Sequence, residues 1–347
     1  MHLLTGQLRI VLVLALLQDL QVKPQKDIFQ EHFENDLQLC PACFSTQRKQ
    51  CEEVFEAIRE PSDLNKLWKA ITLLFDRREI FWLEIGTSHE KGSGLLAKRK
   101  SIVSSNQSLS SLQEEFVDLE ERPGGFHLCR TAQKSSRFIN YLNQRGYDTA
   151  SIYFYMLHNI SPLLMQELHH LDFPVPNTYA ICGLTHFQAY AGRTLNHYIE
   201  AGEDLRREIA RQLIHLSLKL TFGFADFRIF LTDFTTDNLA FDEETRRVLL
   251  IDLDSVVMVD AASTSGQSQK YEPLPGEGFT FDVSAFCSGR QLDANVYQVC
   301  VLLRDFLLKD LDDERLQLMM KKCVECQDDL CDMRFQYAYD LIKLLDS

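Results

Sequence analysis

Residues 231–255 read LTDFTTDNLAFDEETRRVLLIDLDS. Two apolar runs, Leu239 to Phe241 and Val248 to Ile251, flank a charged turn, which is the pattern of a hairpin. An acidic loop from Asp233 to Asn238 opens it, and Asp252 and Asp254 close it. A hairpin buried on both sides does not end in carboxylates unless something pairs them, because a buried charge without a partner is costly. Any fold this chain adopts must bring a counter-charge, a cation or a ligand to that end.

If the two runs pair, Asn238 and Asp252 fall on the same side of the hairpin. A carboxylate and an amide oxygen so placed suit a hard cation with oxygen ligands, such as Mg²⁺. Asp233, one loop away, is placed to accept a proton from an incoming hydroxyl. The plainer reading is that Asp and Asn at strand ends are turn formers. The same D-x4-N spacing recurs from Asp172 to Asn177, where no acid-ended strand follows.

With 347 residues the chain can bury a full core as one large domain or two lobes. Its hydrophobic content of 45% and charged content of 25% are those of an ordinary globular protein. The formal net charge of −14 argues against nucleic acid as a main partner, since phosphate binding wants a basic stripe. Otherwise the acidity serves solubility.

The N-terminus carries Arg9 before an apolar stretch, Ile10 to Leu17, too short to span a bilayer but fitting a signal-peptide core. Residues 1–22 are therefore expected to be a signal, the alternative being an ordinary N-terminal helix or strand. No stable membrane span is expected after its removal. Ten cysteines, with clusters at Cys40, Cys43, Cys51 and at Cys323, Cys326, Cys331, read as disulfides of an oxidising compartment. A zinc site from Cys40, Cys43, Cys323 and Cys326 is the weaker alternative. The sequons at Asn106 and Asn159 fit a lumenal route and a glycoprotein.

Along the chain, residues 27–76 read mainly as helix and residues 79–104 as a hairpin with the turn SHEKGS. LQEEFVDLEE is a helix candidate stopped by Pro123-Gly124-Gly125. Residues 145–170 read as helix, and FPVPNTYAICG and THFQAYAGRTLNHYI as two strand-like runs. Leu205, Ile209, Leu213, Leu216 and Leu220 recur at helical spacing, so 203–220 is a strongly amphipathic helix. A long Ser/Gly/Pro-rich loop spans 260–281, and the tail from Asp293 is helical. The expected fold class is α+β with two unequal lobes. The divisions are a Cys-containing helical segment over 23–78, a small β-rich lobe over 79–190 and a helical lobe over 191–347.

The order of helix, loop with Asp and Asn, apolar run, turn, apolar run and Asp resembles the protein-kinase core, with its H-R-D-x-x-x-x-N loop and D-F-G motif. More narrowly, the chain resembles the divergent protein-kinase-domain family of the secretory pathway, in the branch that contains the "deleted in autism" protein. The residues carrying this are LCPACFSTQRKQC (39–51), GLLAKRK (94–100), NISPLLMQELHHLDFPVPNTYAICG (159–183), LTDFTTDNLAF (231–241) and RVLLIDLDSVVMVD (247–260). Cys300 and Cys323 in the C-terminal helices also fit.

The resemblance implies a kinase-like fold stapled by disulfides, passage through the ER and Golgi or secretion, and ATP with Mg²⁺ or Mn²⁺ as cofactors. It implies that Lys98 orients the α- and β-phosphates, that Asn238 and Asp252 hold metal, and that Asp233 handles the acceptor proton. Tyr190 and Gly192 fall at the hinge that grips adenine. Lys98, as a lone strand lysine, would otherwise be a surface residue. Its acidic partner is expected in LQEEFVDLEE, at Glu115 or its neighbour Glu114, with Glu167 as the alternative. The implied partners are a nucleotide and a lumenal or extracellular protein substrate or receptor.

The departures are specific. Gly86, Gly92 and Gly94 do not form a G-x-G-x-x-G before Lys98. Leu231 and Thr232 replace His and Arg, Leu253 and Asp254 replace Phe and Gly, and no A-P-E follows. A kinase of lumenal or secreted hydroxyls, a pseudokinase acting as a binding or signalling module, and an unrelated cysteine-rich structural protein are the three readings this leaves.

Overall fold

The computed structural model describes residues 25–40, 43, 48–57, 78–85, 93–100, 110–113, 125–129, 135–263, 283–325 and 333–346. The expected signal at 1–22, Glu114, Glu115 and most of the 260–281 loop lie outside the described residues.

The chain begins with helices α1 (Gln25–Leu39) and α2 (Arg48–Ala57), followed by strands β1 (Arg78–Ile85) and β2 (Ser93–Lys100). After β3 (Phe126–Leu128) come α3 (Ser135–Gln144), α4 (Thr149–His158) and α5 (Ser161–His170). Strands β4 (Thr178–Cys182), β5 (Thr185–Ala189) and the short β6 (Arg193–Thr194) lead into the long helix α6 (Glu203–Phe222). Then follow β7 (Phe227–Leu231), β8 (Leu239–Asp242), β9 (Arg247–Leu250) and β10 (Val256–Asp260). Helices α7 (Val283–Cys287), α8 (Ala294–Leu302), α9 (Glu314–Val324) and α10 (Arg334–Leu345) close the fold. This is the expected α+β architecture.

The smaller half is built on an antiparallel sheet in the order β1-β2-β5-β4. Its hairpin pairs Ile80 with Lys98 and Leu83 with Leu95, as the two apolar runs required. The turn between β4 and β5 is clamped from two sides. The Leu184 amide donates to the Asp36 carboxylate of α1 (2.9 Å), and the Tyr155 hydroxyl of α4 donates to the Gly183 carbonyl (2.8 Å). Gly183 has φ +60° and lies so close to Asp36 that a side chain would collide with it, so only glycine serves there.

In the larger half α6 carries Glu203 and Asp204 in its first turn and Lys219 in its last, each complementing the helix dipole. Ile209, Leu213, Leu216 and Leu220 are buried along one face, each worth about 1.5–3 kcal/mol of transfer energy. Helices α8 and α10 pack on that helix, and α9 packs on α10. Two three-stranded sheets, β3-β10-β7 and β6-β8-β9, complete this half. Strand β3 and helix α3 pack here rather than on the small sheet. Phe126 pairs in parallel with Val256, and Arg137 of α3 bridges Asp226 and Asp260.

Among the described residues the cysteines form four disulfides: Cys40–Cys43, Cys51–Cys182, Cys129–Cys287 and Cys300–Cys323. The zinc alternative is thereby overturned, because Cys40 and Cys43 are bonded to each other and Cys323 to Cys300. Cys51–Cys182 joins α2 to β4, so the N-terminal helical segment is stapled to the small sheet. Cys129–Cys287 spans 158 residues and fixes β3 to α7.

Candidate functional site

The hairpin predicted from 239–251 forms as β8 and β9, with Leu239 opposite Leu250 and Phe241 opposite Val248. Past its open end the Ile251 amide donates to the Asn238 carbonyl (2.9 Å). Asn238 and the start of the Asp252 segment are therefore brought side by side. The Asp254 amide donates to Asp252 Oδ1 (3.0 Å), which turns the chain after the hairpin. Leu253, standing where a kinase has phenylalanine, is buried.

Asp233 follows β7, whose register with β10 sets the loop's origin, Leu231 lying opposite Val256. The Thr232 amide donates to the Ser255 carbonyl (3.1 Å), tying the two acidic segments together. Asn238 Nδ2 donates both to Asp233 Oδ2 (2.9 Å) and to the Asp233 carbonyl (3.0 Å). The amide nitrogen is thus committed to Asp233, and Oδ1 is the atom of Asn238 chemically suited to a cation. By contrast Asp172, in the repeated spacing, sits in a left-handed turn with φ +56° whose carbonyl accepts Lys219, a structural turn.

Lys98 reaches this place from the other half of the molecule. It lies on β2 opposite His186 of β5, and its Nζ donates to the carbonyl of Ile251 (2.6 Å), the residue before Asp252. Lys98, Asp233, Asn238 and the Asp252 segment are therefore connected by hydrogen bonds across the two halves. Tyr190 is exposed just beyond β5. Gly192 has φ +92° and passes so close to the Phe241 carbonyl that no side chain fits, so backbone geometry alone accounts for glycine there.

Glu167 is not the partner of Lys98. Buried on α5, it accepts hydrogen bonds from the Tyr147 hydroxyl (3.0 Å), Arg145 Nε (3.0 Å) and the Tyr141 hydroxyl (3.1 Å). Burial and then the Glu167 charge push the Tyr141 phenol up to about 12. Among the described residues no cluster of three or more His, Cys, Asp or Glu forms a ready metal cage.

Two residues that sequence reasoning missed hold the acidic loop. The Leu231 amide donates to Asn295 Oδ1 (3.1 Å), and Asn295 Nδ2 donates to the Ile229 carbonyl (2.7 Å). The Phe234 amide donates to Gln298 Oε1 (3.3 Å), and Gln298 Nε2 donates to the Leu231 carbonyl (2.6 Å). The available signal was an Asn and a Gln three apart, on one face of an otherwise apolar helix.

His186 is buried beside Lys98, with Nε2 2.9 Å from Thr178 Oγ1. Burial, and then the Lys98 charge, lower its pKa from 6.5 to about 3. The folded state therefore stays neutral at a pH where the unfolded chain binds a proton. Stability from this group is present above pH 6.5 and is lost as pH falls toward 3, by about 1.4 kcal/mol per pH unit. Urea midpoints at pH 7 and pH 5 are expected to diverge more in the native protein than in His186→Gln. Equal slopes would count against this assignment.

A family model described as the protein-kinase domain of FAM69 matches residues 153–329, just over half of the chain. The match contains Asp233, Asn238 and Asp252 but not Lys98. Divergent protein kinase domain 2A of Xenopus tropicalis is 24% identical over 191 residues, covering 48% of this chain and 44% of that protein. The Homo sapiens protein of the same name is 24% identical over 153 residues, covering 41% of this chain and 36% of that protein. The chain thus matches less than half the length of these curated relatives. A solved structure described as the complex of Rv3197 with erythromycin from Mycobacterium tuberculosis aligns with TM-score 0.29 at 12% identity, over 66% of this chain and 56% of that one. A likeness that low carries no argument. The loop from Asp233 to Asn238, the hairpin and the Asp-Leu-Asp that follows all lie inside the matched segment, and the chain belongs to the FAM69 protein-kinase-domain family.

Proposed function

We propose that this chain is a divergent kinase-like protein of the secretory pathway that transfers the γ-phosphate of ATP to hydroxyl groups of lumenal or secreted substrates. The observation that supports this best is the bond from Lys98, on the small sheet, to the carbonyl that precedes Asp252. It sets a cation from one half of the fold beside the carboxylate and amide groups of the other.

In this reading the Lys98 ammonium neutralises the α- and β-phosphates, and Asn238 Oδ1 and the Asp252 carboxylate are the oxygen ligands for Mg²⁺ or Mn²⁺. The divalent ion, when bound, supplies neutralisation of phosphate charge. Asp233 accepts the proton of the acceptor hydroxyl. Its Oδ2 is held by Asn238 Nδ2, which orients the carboxylate before the substrate arrives. Asn295 and Gln298 hold the loop and are positioning residues.

Four disulfides support a lumenal or extracellular location. Among the described residues no helix is long and apolar enough to cross a membrane. Asn159 of the second sequon is half-buried, and its Oδ1 accepts the Ser161 amide (3.1 Å).

The alternative, a pseudokinase that binds without transferring phosphate, is favoured by Leu231, Thr232 and Asp254 at positions where active kinases carry His, Arg and Gly. Thermal unfolding with ATP and Mg²⁺ or Mn²⁺, beside Asp252→Ala, tests nucleotide binding. At a hundredfold excess over Kd the native protein is expected to gain about 2.7 kcal/mol, a shift that needs metal and disappears in the variant. Absence of a shift with any nucleotide and metal would move the assignment to a protein-binding module.

A further inference from the structure

Gln188 lies on β5, opposite Leu96 of β2 and Thr178 of β4. Residues directly opposite in an antiparallel pair share a face, and alternate residues along a strand do too. Gln188 therefore faces the same way as His186, Leu96 and Lys98. Lys98 reaches Ile251 in the other half, so this is the face turned toward the candidate nucleotide site.

The Gln188 side chain is buried, the residue being 1% exposed, and neither its amide nitrogen nor its amide oxygen has a hydrogen-bond partner among the described residues. His186, two residues earlier on the same face, is satisfied by Thr178. Buried amides in native proteins are nearly always hydrogen-bonded, so an unpartnered donor and acceptor side by side mark a place where a partner belongs. At about 3.3 Å per residue, the Gln188 position is about 7 Å along the sheet from that of Lys98. That is on the scale of the distance from the phosphates of a nucleotide to its base.

A primary amide offers one N–H and one carbonyl in parallel. Adenine presents the complement, an amino donor beside a ring-nitrogen acceptor, and glutamine pairs with it through two hydrogen bonds. We propose that Gln188 reads the base edge of a bound purine nucleotide through its side-chain amide and so determines base specificity. This rests on the nucleotide-binding reading above and adds to it the residue that recognises the base.

The test compares the native protein with Gln188→Met, whose side chain is of similar length and apolar. Three ligands are titrated with Mg²⁺: ATP, its analogue lacking the exocyclic amino group, and inorganic tripolyphosphate. In the native protein ATP is expected to bind about 5- to 150-fold more tightly than the analogue. In the variant that preference collapses, tripolyphosphate binding is unchanged, and the thermal midpoint without ligand holds or rises. Equal affinity of the native protein for ATP and the analogue overturns the proposal without any variant. A variant that keeps the preference, or loses stability while keeping it, also overturns it and assigns the amide to an internal water. If the native protein binds neither ATP nor tripolyphosphate, the nucleotide reading itself fails, a result distinct from failure at Gln188.

Discussion

Asp233→Asn is expected to lower phosphoryl transfer by about 10²- to 10⁴-fold, the range a positioned general base contributes. ATP binding should stay as in the native protein. Asp233 lies on an exposed loop and is assigned to the acceptor hydroxyl, whereas Lys98, Asn238 and Asp252 are assigned to the nucleotide and metal. Asparagine keeps the size of the side chain and can still accept from Asn238 Nδ2 through its carbonyl, so the loop geometry set by Asn238, Asn295 and Gln298 is retained. What it removes is the basic carboxylate. The check is transfer to an acceptor found by screening secreted proteins, measured beside nucleotide affinity for the same two preparations. Undiminished transfer in the variant would mean that another group takes the proton.

Arg334→Met is expected to destabilise the fold by about 3–5 kcal/mol, the usual effect of leaving a buried charge without its partner. Arg334 is 1% exposed at the start of α10 and pairs with Asp293, which is 0% exposed. Its Nε also donates to the Cys323 carbonyl (2.7 Å), and the guanidinium lies 5.1 Å from the centre of the Tyr297 ring. Methionine fills much of the same volume but takes the guanidinium away from the buried Asp293 carboxylate. Asp293 immediately precedes α8, the helix whose Asn295 and Gln298 hold the Leu231 and Phe234 amides. The loss is therefore expected to reach the candidate site as well as the core. Urea unfolding with the disulfides intact measures it. Asp293→Asn combined with Arg334→Met should recover part of the loss, because the orphan charge is then gone. A single-variant cost under about 1 kcal/mol would show that water or another cation compensates the carboxylate.

Much of the candidate site was legible because its contacts are short in sequence. The apolar spacing from Leu205 to Leu220 announced α6, and the runs around Glu243 to Arg247 announced the β8–β9 hairpin. The spacing marked Asp233 and Asn238 as residues of one loop, and the structure adds that they bond to each other. Lys98 stood out from its strand and the order of elements, but its meeting with Ile251, 153 residues later, was visible only after folding. Sequence patterning misread Glu167 as a possible partner for that lysine. An acidic residue on a helix does not say which basic group it will face, and here Arg145 and two tyrosines occupy it. Asn295 and Gln298 escaped notice because the backbone amides they hold belong to a strand and loop more than 60 residues earlier.

The sequence by itself determined the α+β class, the long amphipathic helix, the hairpin and the acid–amide spacing of the loop. These depend on side-chain periodicity and turn chemistry within a few residues, which local sterics and hydrogen bonding settle. Only the tertiary structure decided which cysteines pair, where Lys98 points, what occupies Glu167 and why Gln188 is buried on the site's face. Cys51 meets Cys182 and Cys129 meets Cys287 across separations of 131 and 158 residues. Closing loops of that length costs entropy that varies only slowly with their length. Local pattern therefore cannot rank the possible partners, and the choice falls to how the apolar faces pack into one core.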